Sequence, residues 1–84
     1  MNKSTYNKVA QILNDQLGVN DFIVIDTSEV DKRFCDKYSI RVSDNSWDLY
    51  WRANVIDQID DILTSQLGVY IEPYNKRLLN IAEL

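Results

Sequence analysis

Residues 37–52 read KYSIRVSDNSWDLYWR, and this stretch decides the predicted fold. In 37–43, apolar and polar side chains alternate strictly, and a period of two is typical of a half-buried strand. The alternation returns in 47–52, which predicts another strand. The residues between them, 43–46, read SDNS and have the composition of a turn. The stretch therefore predicts two antiparallel strands joined by a short loop.

A further strand is predicted ahead of this pair. The segment 22–25 reads FIVI, a continuous apolar run rich in β-branched residues, which suits a strand covered on at least one face. We expect 31–36 to hold the connection to the next strand. The three predicted strands form an antiparallel meander in which Trp47, Leu49 and Trp51 face the core.

The first predicted helix covers 4–17, where apolar residues recur at the three-four spacing of one buried stripe. That stripe consists of Tyr6, Val9, Ala10, Leu13 and Leu17. Ser4 is the expected N-cap. Gly18 follows the last stripe residue directly, and a glycine there supplies the left-handed conformation that ends many helices.

The second predicted helix covers 54–67 and ends at Gly68 in the same way. Asn54 is the expected N-cap. Together with Asp57 three residues later, it gives a pattern close to a capping box. The apolar stripe consists of Val55, Ile56, Ile59, Ile62, Leu63 and Leu67. The tail, 69–84, is open between strand and helix, and Pro73 is expected to break any regular element in it.

These elements predict one small α+β domain over 1–84 in the order α-β-β-β-α, followed by a short C-terminal tail element. Two helices pack on one face of a three-stranded antiparallel meander. The 84 residues are enough for a single core of limited stability.

Composition narrows the classes of function. Thirteen acidic residues against nine basic ones give a net charge of −4, which disfavours direct binding to nucleic acid. The absence of histidine removes the commonest general base and metal ligand, and no partner that could activate a nucleophile is recognisable. We therefore expect neither an enzyme nor a bound cofactor or metal. The single cysteine, Cys35, fits a reducing, cytoplasmic setting, and neither a signal peptide nor a membrane span is expected.

Asp57, Asp60 and Asp61 stand at spacings of three and four, so a helix brings them onto neighbouring parts of one surface. Three interpretations stay open: a solvated polar face, an acidic patch that binds a partner, or a metal or catalytic site. The second predicted surface is the sheet face away from the helices, where Tyr50 stands among mixed charges that include Asp48. That face is either exposed to solvent or an interface.

The stretch IRVSDNSWDLYW (40–51) and the acidic second helix resemble, in general layout, small acidic phage proteins that inhibit CRISPR effectors. The resemblance implies nucleic-acid mimicry, in which carboxylates stand where phosphates would be. It predicts a non-catalytic inhibitor or modulator of a nucleic-acid-handling protein, present in the host cytoplasm if phage-encoded. The predicted contact residues are Asp57, Asp60, Asp61, Asp44, Asp48 and Tyr50, which would meet a basic protein surface. The alternative is an interaction or assembly domain that dimerises through the open sheet face. We expect the protein to be a monomer or a homodimer.

Overall fold

The computed structural model of the protein describes residues 2–27, 37–52, 54–75 and 77–84. Its elements are α1 Lys3–Leu17, β1 Ile23–Asp26, β2 Tyr38–Arg41, α2 Asp44–Arg52, α3 Ile56–Leu67, β3 Val69–Asn75 and β4 Leu78–Glu83. The predicted α+β class is confirmed, but the order of elements and the strand count differ from the prediction. The predicted connection at 31–36, together with Cys35, lies outside the described residues.

Helix α1 begins slightly earlier than predicted because Asn2, and not Ser4, is its N-cap. The Asn2 side chain accepts a hydrogen bond of 2.9 Å from the Thr5 backbone N–H. The predicted stripe is confirmed: Tyr6, Val9, Ala10 and Leu13 are buried, and Leu17 is half-buried. Gly18 has a φ of 68°, the left-handed conformation that ends the helix.

Helix α3 corresponds to the predicted second helix, although its first turn is built differently. Val55 occupies the N-cap position without a side-chain hydrogen bond, so the predicted cap at Asn54 is wrong. Ile59 and Leu63 are fully buried, and Gly68 ends the helix with a φ of 64°. Packing of the apolar stripe therefore stabilises this helix even without a polar N-cap.

The predicted strand at 47–52 and the predicted turn at 43–46 are wrong, because Asp44–Arg52 forms α2. Trp47 stands three residues before Tyr50 and four before Trp51, which is helical spacing. A segment of only six residues can show this spacing and strict alternation at once, so the pattern is compatible with a helix as well as a strand. Ser43 starts the helix: its carbonyl accepts the Trp47 N–H at 2.9 Å, and its hydroxyl accepts the Ser46 N–H at 3.3 Å. The SDNS segment is thus a helix start.

The tail completes the sheet as a hairpin of β3 and β4. The strand order is β1-β2-β4-β3, and every neighbouring pair is antiparallel. The predicted pairing of the first two strands is confirmed, but the third neighbour is β4, which comes from the end of the chain. Pro73 lies within β3, contrary to prediction, because β3 is an edge strand and its register shifts between Pro73 and Asn75.

One hydrophobic core lies between the sheet and the helices. Its fully buried members are Tyr6, Val9, Leu13, Ile40, Ile59, Leu63 and Leu79. They come from α1, α3 and the two central strands, so α1 and α3 cover one face of the sheet, as predicted. The Tyr6 hydroxyl accepts the Ile81 N–H at 3.4 Å, which joins the first helix to the last strand.

Candidate partner-binding surface

Helix α2 is fastened to the preceding part of the chain by a polar network. Both the Ser43 and the Ser46 hydroxyl donate to Asp21 Oδ2, the latter at 2.8 Å. Ser46 itself is buried. Since Asp21 precedes β1 and the serines open α2, this network sets where the helix starts and which of its faces turns toward the core.

Tyr50 lies on the buried face of α2 and not on an open sheet face, so its predicted position is wrong. The side chain is only 3 % exposed and belongs to the hydrophobic core. Burial, and after it the negative charge of Asp60, raises the pKa of Tyr50 to about 12. Tyr50 therefore remains a neutral phenol at physiological pH and places α2 next to α3.

The aromatic corner, which consists of Trp47, Tyr50 and Trp51, is the main apolar feature of α2. The ring centroids of Trp47 and Trp51 are 5.7 Å apart and those of Tyr50 and Trp51 are 5.3 Å apart, both with edge-on geometry. Trp51 is 51 % exposed, and Leu49 on another side of the helix is 40 % exposed. The prediction that Leu49 and Trp51 face the core is wrong; Trp47 is half-buried against it.

Asp44 and Asp48, predicted as contact residues, each face an arginine of the chain. Arg77 donates to the Asp44 carboxylate from Nε at 3.1 Å and from Nη2 at 3.0 Å. Asp48 forms a longer pair of 3.7 Å with Arg52, one turn along α2. Intramolecular cations thus offset the charges of both carboxylates, and a partner would compete with those arginines.

The acidic ridge, which consists of Asp57, Asp60 and Asp61 on α3, has a different environment. All three side chains are exposed. Within the part of the chain that the structure describes, no lysine or arginine forms an ion pair with them. Partial burial, followed by the charges of Asp57 and Asp61, raises the pKa of Asp60 above its ordinary value. The ridge therefore concentrates negative charge that no described lysine or arginine offsets through an ion pair.

We expect Asp60→Asn to raise the free energy of unfolding at neutral pH by a few tenths of a kcal/mol. A folded-state pKa raised above the unfolded one means that ionisation destabilises the fold, so the penalty is present above the raised pKa. At about pH 3 the carboxyl is mostly protonated in both states, and the gain should disappear. Urea unfolding at both pH values measures the difference.

Asp15→Asn is the matched control for this substitution. Asp15 is an exposed aspartate on α1 with no acidic residue one turn away in either direction. We expect no gain from it at either pH. An equal gain from both variants would show that repulsion within the acidic ridge is not its origin.

The structure brings some of the predicted contact residues together. Tyr50 contacts the Trp51 ring, and the negative charge of Asp60 acts on it strongly enough to raise its pKa. Asp44 stands apart, at the start of α2 beside Arg77. In the described residues, no three or more His, Cys, Asp and Glu side chains are grouped so that they could share a metal ion.

Two features of this surface were not predicted from the sequence. The exposure of Trp51 follows from α2 being a helix, and the three-four spacing of its aromatic residues was the available signal. The pairing of Asp44 with Arg77 joins residues 33 positions apart, for which the sequence holds no local signal.

No protein-family model, no curated protein and no solved structure matches this chain. No helix in the described residues is long and apolar enough to cross a membrane.

Proposed function

We propose that the protein is a non-catalytic binding protein whose acidic ridge contacts a basic surface on a nucleic-acid-handling protein. The observation that carries this proposal is the contrast between two groups of aspartates. Asp44 and Asp48 face arginines of the chain itself, whereas the acidic ridge has no such counter-charge among the described residues. The raised pKa of Asp60 indicates a carboxylate that a cation from a partner would stabilise.

The spacing of the carboxylates supports nucleic-acid mimicry. Asp57 and Asp61 are separated by about 6 Å along the helix axis, so the ridge carries about one charge per 3 Å. One nucleic-acid strand carries a phosphate about every 3.4 Å along the axis of a duplex. A surface that binds phosphates with Lys and Arg would therefore meet a similar density of negative charge on α3.

The aromatic corner supplies the apolar part of the same contact surface. Aromatic residues are enriched at interfaces, and tryptophan is prominent among binding hot spots. Trp51 exposes 51 % of its surface, and its ring packs edge-on against the rings of Trp47 and Tyr50. The Tyr50 ring contacts Trp51, and the charge of Asp60 raises the pKa of Tyr50, so a partner that contacts the corner also comes near the ridge. Asp48 on α2 belongs to the outer part of this surface.

The proposed interface is tested by replacing Asp57, Asp60 and Asp61 with asparagine. We expect the triple variant to fold and to bind the partner about 10–100-fold more weakly, since three charge pairs of up to about 1 kcal/mol are lost. Affinity of the wild type should fall as salt rises, and the variant should be less sensitive to salt. Pull-down from the native host with mass spectrometry identifies the partner, and calorimetry at two salt concentrations gives both affinities.

The matched control removes three exposed acids from other parts of the surface: Asp15→Asn, Glu72→Gln and Glu83→Gln. It has the same net charge as the ridge variant. We expect it to retain the wild-type affinity. An equal loss of affinity in both variants would show that net charge, and not the ridge, causes the effect. Equal affinity of the wild type and the ridge variant would show that the acidic ridge does not contribute to binding.

A further inference from the structure

The Tyr50 hydroxyl lacks the partner that a buried tyrosine usually has. The side chain is only 3 % exposed, and a tyrosine at such a position normally donates or accepts a hydrogen bond. Within the part of the chain that the structure describes, this hydroxyl forms none. The buried side-chain oxygen without a partner there is Asp21 Oδ1, so the Tyr50 oxygen is not sealed from solvent. It can therefore bind a polar group that comes from outside.

The acidic ridge starts close to this hydroxyl. Only residues 53–55 separate α2 from α3, and four steps of extended chain span at most about 14 Å. Tyr50 stands two residues before the end of α2, and Asp60 stands four residues after the start of α3. The charge of Asp60 raises the pKa of Tyr50, an effect that screening would largely remove beyond about 10 Å. A neutral acceptor and a carboxylate are thus near each other.

Trp51 adds an aromatic surface at the same place. Its ring centroid is 5.3 Å from that of Tyr50, with an angle of 72° between the two ring planes. Trp51 is 51 % exposed, so part of its ring face is open to solvent. No lysine or arginine in the described residues lies over this ring, and the neighbouring Arg52 pairs with Asp48. The ring can therefore receive a cation from another molecule.

These three groups together define the chemistry of a ligand. An aromatic face, a carboxylate and a neutral oxygen acceptor suit a planar cation that donates hydrogen bonds along more than one edge. The guanidinium of arginine has these properties, because it is always charged, stacks on aromatic rings and carries five N–H donors in its plane. The ammonium of lysine is a compact and strongly hydrated point charge, which makes it a poorer match.

We propose that the aromatic corner and the acidic ridge form a recognition site for an arginine side chain of the partner. The guanidinium stacks on the Trp51 ring and donates to the Asp60 carboxylate and to the Tyr50 oxygen. Asp57 and Asp61 attract the same cation and other basic groups around it. This inference rests on the proposed function and specifies it, since it names the residue type through which the basic surface is bound.

The site should prefer arginine to lysine. A cation over an exposed tryptophan ring strengthens binding about 2–5-fold, and more when water is excluded from the contact. The stacked guanidinium can keep this contact while its edges donate to Asp60 and Tyr50. We therefore expect about 3–30-fold tighter binding of an arginine ligand than of a lysine ligand with the same charge.

Two short peptides of equal length and net charge test the site in the full chain. One alternates glycine with arginine and the other alternates glycine with lysine. Calorimetry at low salt gives both affinities, since exposed charges interact most strongly there. Trp51→Leu keeps an apolar side chain but removes the aromatic face, so it should bind the two peptides about equally. Tyr50→Phe removes only the hydroxyl and should weaken binding of the arginine peptide about 2–10-fold.

Leu49→Ala is the matched control for the exposed part of α2. Leu49 is 40 % exposed on another side of the helix, so this variant should keep the wild-type preference for arginine. Circular dichroism checks that each variant folds. Stacking has a direct signature in NMR: the ring current of Trp51 should move the arginine side-chain protons upfield with the wild type and not with Trp51→Leu.

Equal affinity of the wild type for the two peptides would overturn the arginine site. A preference for arginine that Trp51→Leu retains, with its fold intact, would overturn it as well. If both peptides bind equally and the asparagine variant of the acidic ridge binds neither, the ridge still contacts basic surfaces and only the arginine site fails. If the wild type binds neither peptide, both proposals fail.

Discussion

Leu13→Ala and Ile59→Ala are each expected to lower the free energy of unfolding by about 2–5 kcal/mol. Both side chains are fully buried and belong to the core, one on α1 and one on α3. Each substitution removes apolar surface from the core and leaves a cavity between the helices and the sheet. The total stability of an 84-residue chain is of the order of 4–13 kcal/mol, so either loss is a large share.

Urea unfolding followed by circular dichroism measures the loss. Gln11→Ala and Gln58→Ala are the matched controls, since both residues are exposed on the same two helices. We expect these controls to change stability by no more than about 0.5 kcal/mol. A loss below about 0.5 kcal/mol for Leu13→Ala or Ile59→Ala would contradict the placement of these side chains in the core.

Asn14→Ala is expected to cost about 1–3 kcal/mol, because Asn14 satisfies both backbone groups of Phe22. Its side-chain Nδ2 donates to the Phe22 carbonyl at 3.1 Å, and its Oδ1 accepts the Phe22 N–H at 3.0 Å. These two bonds attach the chain ahead of β1 to α1. Alanine would leave both groups of Phe22 without that partner at a half-buried position.

Two variants separate this pair of bonds from helix propensity. Asn7→Ala changes an exposed asparagine on the same helix, and alanine is the better helix former, so it should be neutral or slightly stabilising. Asn14→Asp keeps the acceptor and loses the donor, so its loss should be intermediate. Urea unfolding of all three gives the comparison, and equal stability of Asn14→Ala and Asn7→Ala would show that the Phe22 bonds contribute nothing.

How much of the candidate surface could be predicted differs from residue to residue. The acidic ridge follows from local spacing, because Asp57, Asp60 and Asp61 lie away from the stripe that Ile59 and Leu63 bury. Tyr50 was misplaced, because its assignment to an open sheet face depended on the incorrect strand at 47–52. The same incorrect strand pointed Trp51 toward the core, so the exposure of Trp51 was not predicted either.

By itself, the sequence determined α1, α3 and the antiparallel pairing of β1 with β2. The helix signals are local: an apolar stripe at helical spacing followed by Gly18 or Gly68 in the left-handed conformation. The excess of acidic residues and the close spacing of Asp57, Asp60 and Asp61 are also fixed by composition and order alone. The two helices and the charge pattern need no contact between distant parts of the chain, and the pairing of β1 with β2 joins strands that are neighbours in sequence.

Only the tertiary structure decided whether 47–52 is helix or strand and what the tail becomes. Six alternating residues fit both periods, and the choice was made by Asp21, which accepts from two serines at the start of α2, and by burial of Tyr50. The tail became a hairpin because β4 pairs with β2 through Ile40 and Leu79, residues far apart in the chain. Contacts of this kind outweigh local preferences because burial and backbone pairing stabilise more than the small propensity differences that they override.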